Sequence, residues 1–255
     1  MKRVILLPGL ACDEELWGGV AGPLAARHAV LHSDVQSRHP TLPAMAAALL
    51  AAHDGPLVLV GHSMGGMIAL EALRQAPGRI AGAAILASTA RADTPELVGL
   101  RSAAIGLFEQ GRVDEVLRAN VPFAFDAGAD AALIARYFAM IQRAGAERLI
   151  AGNRALIARD DLRPHLSRIA CPLLVVCGES DALTPPEHAR EIASAVSGAR
   201  LELIERCGHM LTLEAPERVT ALLLDWLDWL DAPDLRDGRD AGRALNASSS
   251  AATRS

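Results

Sequence analysis

The chain has 255 residues, 51% of them hydrophobic and 22% charged, with a net charge of −5. That is enough for one domain, or one domain carrying an insertion, with a full buried core. The negative balance and the lack of Lys/Arg clusters exclude a nucleic-acid surface, and Lys2 as the only lysine removes Schiff-base and P-loop chemistry.

Arg3–Leu7 is a continuous apolar run of the kind that forms a parallel strand covered on both faces. With Lys2 ahead of it and Cys12 behind, it has the outline of a lipoprotein signal. Pro8-Gly9 cuts the run below the roughly 7–15 residues of an h-region, and Gly9 stands where such a signal usually carries leucine. The segment therefore reads as a strand ending in a turn at Pro8-Gly9-Leu10, and a cytoplasmic protein is expected. No run approaches the roughly 18 apolar residues of a membrane helix, so no membrane partner is expected. Residues 29–35 make a weaker strand and Leu42–Ala52 a helix.

Val58-Leu59-Val60-Gly61-His62-Ser63-Met64-Gly65-Gly66 follows. An apolar, β-branched run ends in Gly-x-Ser-x-Gly, and a helical pattern over Met64–Gln75 begins at once, stopped by Pro77-Gly78. This spells a strand, a very tight turn and a helix, with the serine lifted clear of both on a strained backbone. Gly61 and Gly65 supply small neighbours, and Gly66 lets the helix approach the sheet. The free N–H groups of the helix's first turn point at whatever Ser63 attacks. Ser63 reads as a nucleophile.

A strand over 80–87 continues the alternation, which specifies a parallel, doubly wound sheet. From about 94 to 167 only helical patterns occur, over 96–110, 113–119, 131–143 and 146–158. All four phenylalanines and the one tyrosine lie there: Phe108, Phe123, Phe125, Tyr137 and Phe138. A helical subdomain burying its own aromatics and a lid lining an apolar substrate pocket both fit, and both can hold at once. These five, with Met210, are the candidate pocket residues. The sheet pattern resumes at 172–178, with helices over 186–196 and 216–230 around a last strand at Arg200–Ile204. The expected fold class is α/β: a doubly wound, mostly parallel sheet of about six strands, with helices on both faces and an inserted helical cap. The core would span 1–92 and 168–231, and the cap 93–167. Beyond it, 232–255 is a non-periodic tail expected to be disordered.

The strand at 173–177 runs into Gly178-Glu179-Ser180-Asp181. Residues just past parallel strand ends gather at one edge of the sheet, where Ser63 also sits. Asp181 is favoured over Glu179 to orient a histidine; Asp160 and Asp161 are explained by helix-end solvation. After the last strand, Cys207-Gly208-His209-Met210 places His209 on a loop behind both the serine and the acid. His62 is expected to point away from Ser63, and His28, His32, His39, His53 and His188 have ordinary surface explanations. His165 is a minor pocket candidate. No His-x-x-x-His or Cys-x-x-Cys pair occurs, so neither a metal nor a cofactor is expected. Cys12, Cys171, Cys177 and Cys207 read as small buried hydrophobes, with Cys12 and Cys207 near the site.

The order Ser63, Asp181, His209 is that of α/β-hydrolases. The chain resembles that family from Val4 to about Leu230, through Leu-Leu-Pro-Gly-Leu, Gly-His-Ser-Met-Gly-Gly, Cys-Gly-Glu-Ser-Asp and Cys-Gly-His-Met-Leu-Thr-Leu-Glu-Ala-Pro-Glu. It lacks the family's usual N-terminal hairpin, and Pro8 stands where many members carry histidine. The resemblance implies an oxyanion hole from the backbone N–H groups of Leu10 and Met64. It implies a serine hydrolase of small to medium apolar carboxylic esters, taking a small-molecule substrate, as a monomer or homodimer. The same triad serves C–C bond hydrolases, lyases, cofactor-free perhydrolases, and thioester or lactone hydrolases. An aspartate nucleophile, as in dehalogenases and epoxide hydrolases, is absent. A non-catalytic ligand-binding relative is the alternative of another class.

Overall fold

A computed structural model describes residues 1–231; the tail expected over 232–255 lies outside them. Six strands, β1 (Arg3–Leu7), β2 (Ala29–His32), β3 (Leu57–His62), β4 (Ile80–Leu86), β5 (Leu173–Gly178) and β6 (Arg200–Ile204), form one sheet. Their order is β2-β1-β3-β4-β5-β6, and every neighbouring pair is parallel. Side chains alternate along a strand, so Val4, Leu6, Val58 and Val60 feed one apolar layer while Ile5, Leu7, Leu57 and Leu59 feed the other. Both faces being covered is why β1 and β3 read as unbroken apolar runs rather than alternating ones.

Helices α1 (Ala21–Ala25) and α10 (Pro216–Asp231) cover the first layer, with Trp17 and Trp226 fully buried in it. Helices α2 (Leu42–Ala52), α3 (Met64–Gln75) and α8 (Pro186–Ala195) cover the second. Gly82 in β4 admits α10 closely: a Cβ there would stand 3.0 Å from Leu230 Cδ1 and 3.2 Å from Trp226 Cζ2. The strand order reverses beside β1, where Leu7 is in register with Gly61 of β3. Open α/β sheets form their clefts at such a switch point, outside the strands' carboxyl ends.

Between β4 and β5 lie α4 (Pro95–Glu109), α5 (Val113–Ala124), α6 (Ala131–Ile157) and the single turn α7 (Arg163–Leu166). Helix α6 is two helices joined at Gly145, whose φ of 79° and ψ of 169° break the spiral; this accounts for the separate patterns at 131–143 and 146–158. Helix α5 outruns the expected 119 and continues to Ala124 through Pro122, which has no N–H to give the turn before it. The short α7 and α9 (Leu211–Glu214) carry no readable period. Among the described residues, no helix is long and apolar enough to cross a membrane, and no cluster of His, Cys, Asp or Glu could hold a metal ion.

Candidate active site

Ser63 sits between β3 and α3 with φ 53° and ψ −118°, a backbone conformation that L-residues rarely adopt. Its neighbours hold it there. A Cβ on Gly61 would collide with the Gly65 carbonyl, and one on Gly65 with the Leu7 carbonyl. On Gly66 it would stand 2.7 Å from Ser88 Oγ, whose hydroxyl donates to Ser63 O at 2.7 Å. Ser63 N donates to Leu86 O at 2.9 Å, so the strained turn is anchored to β4 as well.

The three residues expected to act together meet at the sheet's carboxyl edge. His209 Nε2 lies 2.9 Å from Ser63 Oγ, and His209 Nδ1 lies 2.9 Å from Asp181 Oδ2. An Nδ1–H donating to the carboxylate leaves Nε2 as an acceptor for the serine hydroxyl; the partners assign this tautomer. Asp181 Oδ1 accepts the N–H groups of Leu183 and Thr184, and Oδ2 accepts the Thr184 hydroxyl at 2.8 Å. Burial alone would raise the Asp181 pKa, but His209 and the hydrogen bonds outweigh it and hold the carboxyl below its usual range. Glu179 is exposed, and Asp161 is paired with Arg163. Of the two acids left open after β5, Asp181 is the one brought to His209.

His62 makes its contacts with the histidine loop rather than with Ser63. Its buried ring turns towards the histidine loop, with Nε2 donating to His209 O at 2.8 Å and ring centroids 5.1 Å apart. Burial first, and then His209, push its pKa down to about 3, so it stays neutral beside the active imidazole. A polar residue ending a strand buried on both faces was the signal for such a partner. His28 is a correction: it is 4% exposed, at the end of α1, and not a surface residue. Thr184, which sets the Asp181 carboxylate, was also missed; the spacing Asp-x-x-Thr, which suits local side-chain-to-backbone bonding, was its only mark.

Leu10 and Met64 lie side by side under α6, where a Cβ on Gly152 would collide with Leu10 Cδ1 and approach Met64 Sδ at 3.9 Å. Gly9 is wedged between loops: its Cβ would stand 3.1 Å from His62 Nδ1 and 3.4 Å from Ser63 Cβ. Cys12 is close by, but burial raises its thiol to about 12, so it offers no thiolate. Cys207 is pushed up still further, again chiefly by burial. Phe125, Tyr137 and Phe138 stack edge to face at 5.3 and 6.1 Å, in one apolar cluster with Phe108, Cys12 and Met210. Phe123 stands apart, 51% exposed. His165 lies elsewhere, with Arg74 and Arg168 on an apolar groove of about 240 Å³ between α3 and α7.

A family model described as "Alpha/beta hydrolase family" matches residues 4–222. The chain belongs to that family. This hydrolase is 27% identical over 245 residues to a pimeloyl-[acyl-carrier protein] methyl ester esterase of Neisseria meningitidis, covering 89% of this chain and 94% of the relative. It is 27% identical over 179 residues to a 2-hydroxy-6-oxononadienedioate/2-hydroxy-6-oxononatrienedioate hydrolase of Paraburkholderia xenovorans, covering 66% and 61% respectively. A thermophilic esterase from Thermogutta terrifontis superposes with a TM-score of 0.83 at 25% identity, over 91% of each chain.

Proposed function

We propose that this hydrolase is a serine esterase that cleaves small to medium apolar carboxylic esters through an acyl-enzyme. The observation that carries the reading is the continuous line from Ser63 Oγ through the His209 ring to Asp181, at 2.9 Å on each side. A free serine is a poor nucleophile, so His209 takes its proton as Ser63 attacks the carbonyl. Asp181 fixes the tautomer and stabilises the imidazolium, and Thr184 and Leu183 hold the carboxylate in place. The backbone N–H groups of Leu10 and Met64 receive the developing oxyanion, each donor being worth roughly 10²–10³ in turnover. His209 then protonates the leaving alcohol and activates water for deacylation.

The substrate reading rests on the apolar cluster of Phe125, Tyr137, Phe138 and Met210 beside the site, and on the esterases among the relatives. Turnover of 4-nitrophenyl esters of increasing acyl length tests it: activity should rise from acetyl to a medium chain and vanish in Ser63→Ala. Full activity in that variant would exclude the assignment. The Paraburkholderia relative favours one second reading, a C–C bond hydrolase on the same residues. A vinylogous diketone turned over faster than any ester would select it.

A further inference from the structure

Glu214 lies within the last of the sequence motifs, five residues beyond His209, and the chemistry above gives it no part. Its half-buried carboxylate joins two segments that are far apart in sequence. Oε2 accepts the N–H of Asp126 at 2.9 Å, and both oxygens lie 3.1 Å from the N–H of Gly208, next to His209. Burial raises the Glu214 pKa and the nearby Asp126 charge adds to this, against the pull of the backbone donors. The surroundings thus oppose its ionised form, while the bonds it makes use that form.

Further contacts run across the same junction. The last four carbonyls of any α-helix lack partners within it, and α5 uses two of its own here. Ala124 O accepts the N–H groups of both His209 (2.9 Å) and Met210 (3.2 Å), and Phe123 O accepts that of Ala182, beside Asp181, at 3.3 Å. The Ser180 hydroxyl donates to Asp126 Oδ2 at 2.6 Å. Contact is close enough that a Cβ on Gly208 would stand 2.7 Å from Asp126 N. Residues 123–126 of the helical insertion therefore touch both loops that carry the proposed acid and base.

We propose that Glu214 is a positioning residue: it fastens the exit of α5 to the Gly208-His209 loop, so that part of the insertion forms the seat of the histidine. This rests on the serine-hydrolase reading. It also means that residues 123–126 stay with the core when substrate enters, because lifting them would strip the backbone partner from His209.

The test compares wild type with Glu214→Leu and Glu214→Gln by kcat and KM on a short 4-nitrophenyl ester. It adds the second-order rate of fluorophosphonate acylation per folded molecule. Leucine removes both acceptors and should lower kcat and the acylation rate about tenfold or more, since misplaced reacting groups are penalised steeply, with KM within about twofold. Glutamine keeps one acceptor oxygen but turns an amide towards Gly208 N–H, and should lose about threefold. A loss that only tracks the folded fraction, with unchanged rates per folded molecule, overturns the proposal. If the leucine variant does not fold, the glutamine variant decides in the same way. Wild-type acylation with unaltered Glu214 variants overturns this inference alone; no acylation of wild type overturns the serine-hydrolase reading and the inference with it.

Discussion

Asp181 carries the charge balance of the proposed relay, and its environment dictates what replacing it does. Asp181→Asn keeps the shape but loses the charge that favours the Nδ1–H tautomer and the imidazolium, so turnover should fall by about 10³–10⁴. The same substitution should show in stability. A carboxyl held below its ordinary range contributes stability above its unfolded pKa of about 3.9 and loses it as pH falls through the lower folded value. Melts from about pH 6 to about pH 3 should therefore show a shallower acid-side decline in the Asn variant. His62 sets a different kind of contact. His62→Phe keeps a ring but removes the donor to His209 O, and turnover should drop about threefold to tenfold with KM unchanged. Ser63, Asp181 and His209 were legible because each follows a strand that the sequence marks clearly. His62, Thr184 and Glu214 were not, because they act through partners that only the folded chain brings together.

At the scale of elements, the helical insertion is held at both its roots. The carboxylate of Asp93, just before α4, is fully buried between Arg101 and Arg159, at 2.7 Å from each, and Arg159 also donates to Arg91 O. Removing one member of a buried ion pair leaves an uncompensated charge, so Asp93→Asn should destabilise by about 3–5 kcal/mol. Denaturant unfolding reads this directly. Within α6, Gly145 occupies backbone space that is nearly glycine's alone, and Gly145→Ala should cost about 1–3 kcal/mol. The strands, the core-facing helices α2, α3, α8 and α10 and the interruption of α6 could be read from periodicity, whereas α1, five residues long, could not. The short helices α7 and α9 have too few residues to show a period, and the exit of α5 passes a proline that favours an earlier stop.

Across the whole molecule, the sheet gathers the ends of β3, β5 and the loop after β6 at one edge, and the insertion closes over them. Doubly wound topology was readable from strand–helix alternation, and the six strands of the sheet match the six that the sequence pattern marks. The path of the insertion over the site was not readable, because its helices pack through scattered small residues. Gly152, over Leu10 and Met64, and Gly208, against residues 125 and 126, are two such points. In the proposed mechanism all of these elements converge on one activated serine, Ser63. Intact-mass analysis after fluorophosphonate treatment tests it without requiring the natural substrate. Wild type should carry one adduct and Ser63→Ala none, and labelling of His209→Ala should fall steeply. An adduct retained on Ser63→Ala, or undiminished labelling of His209→Ala, would contradict the mechanism.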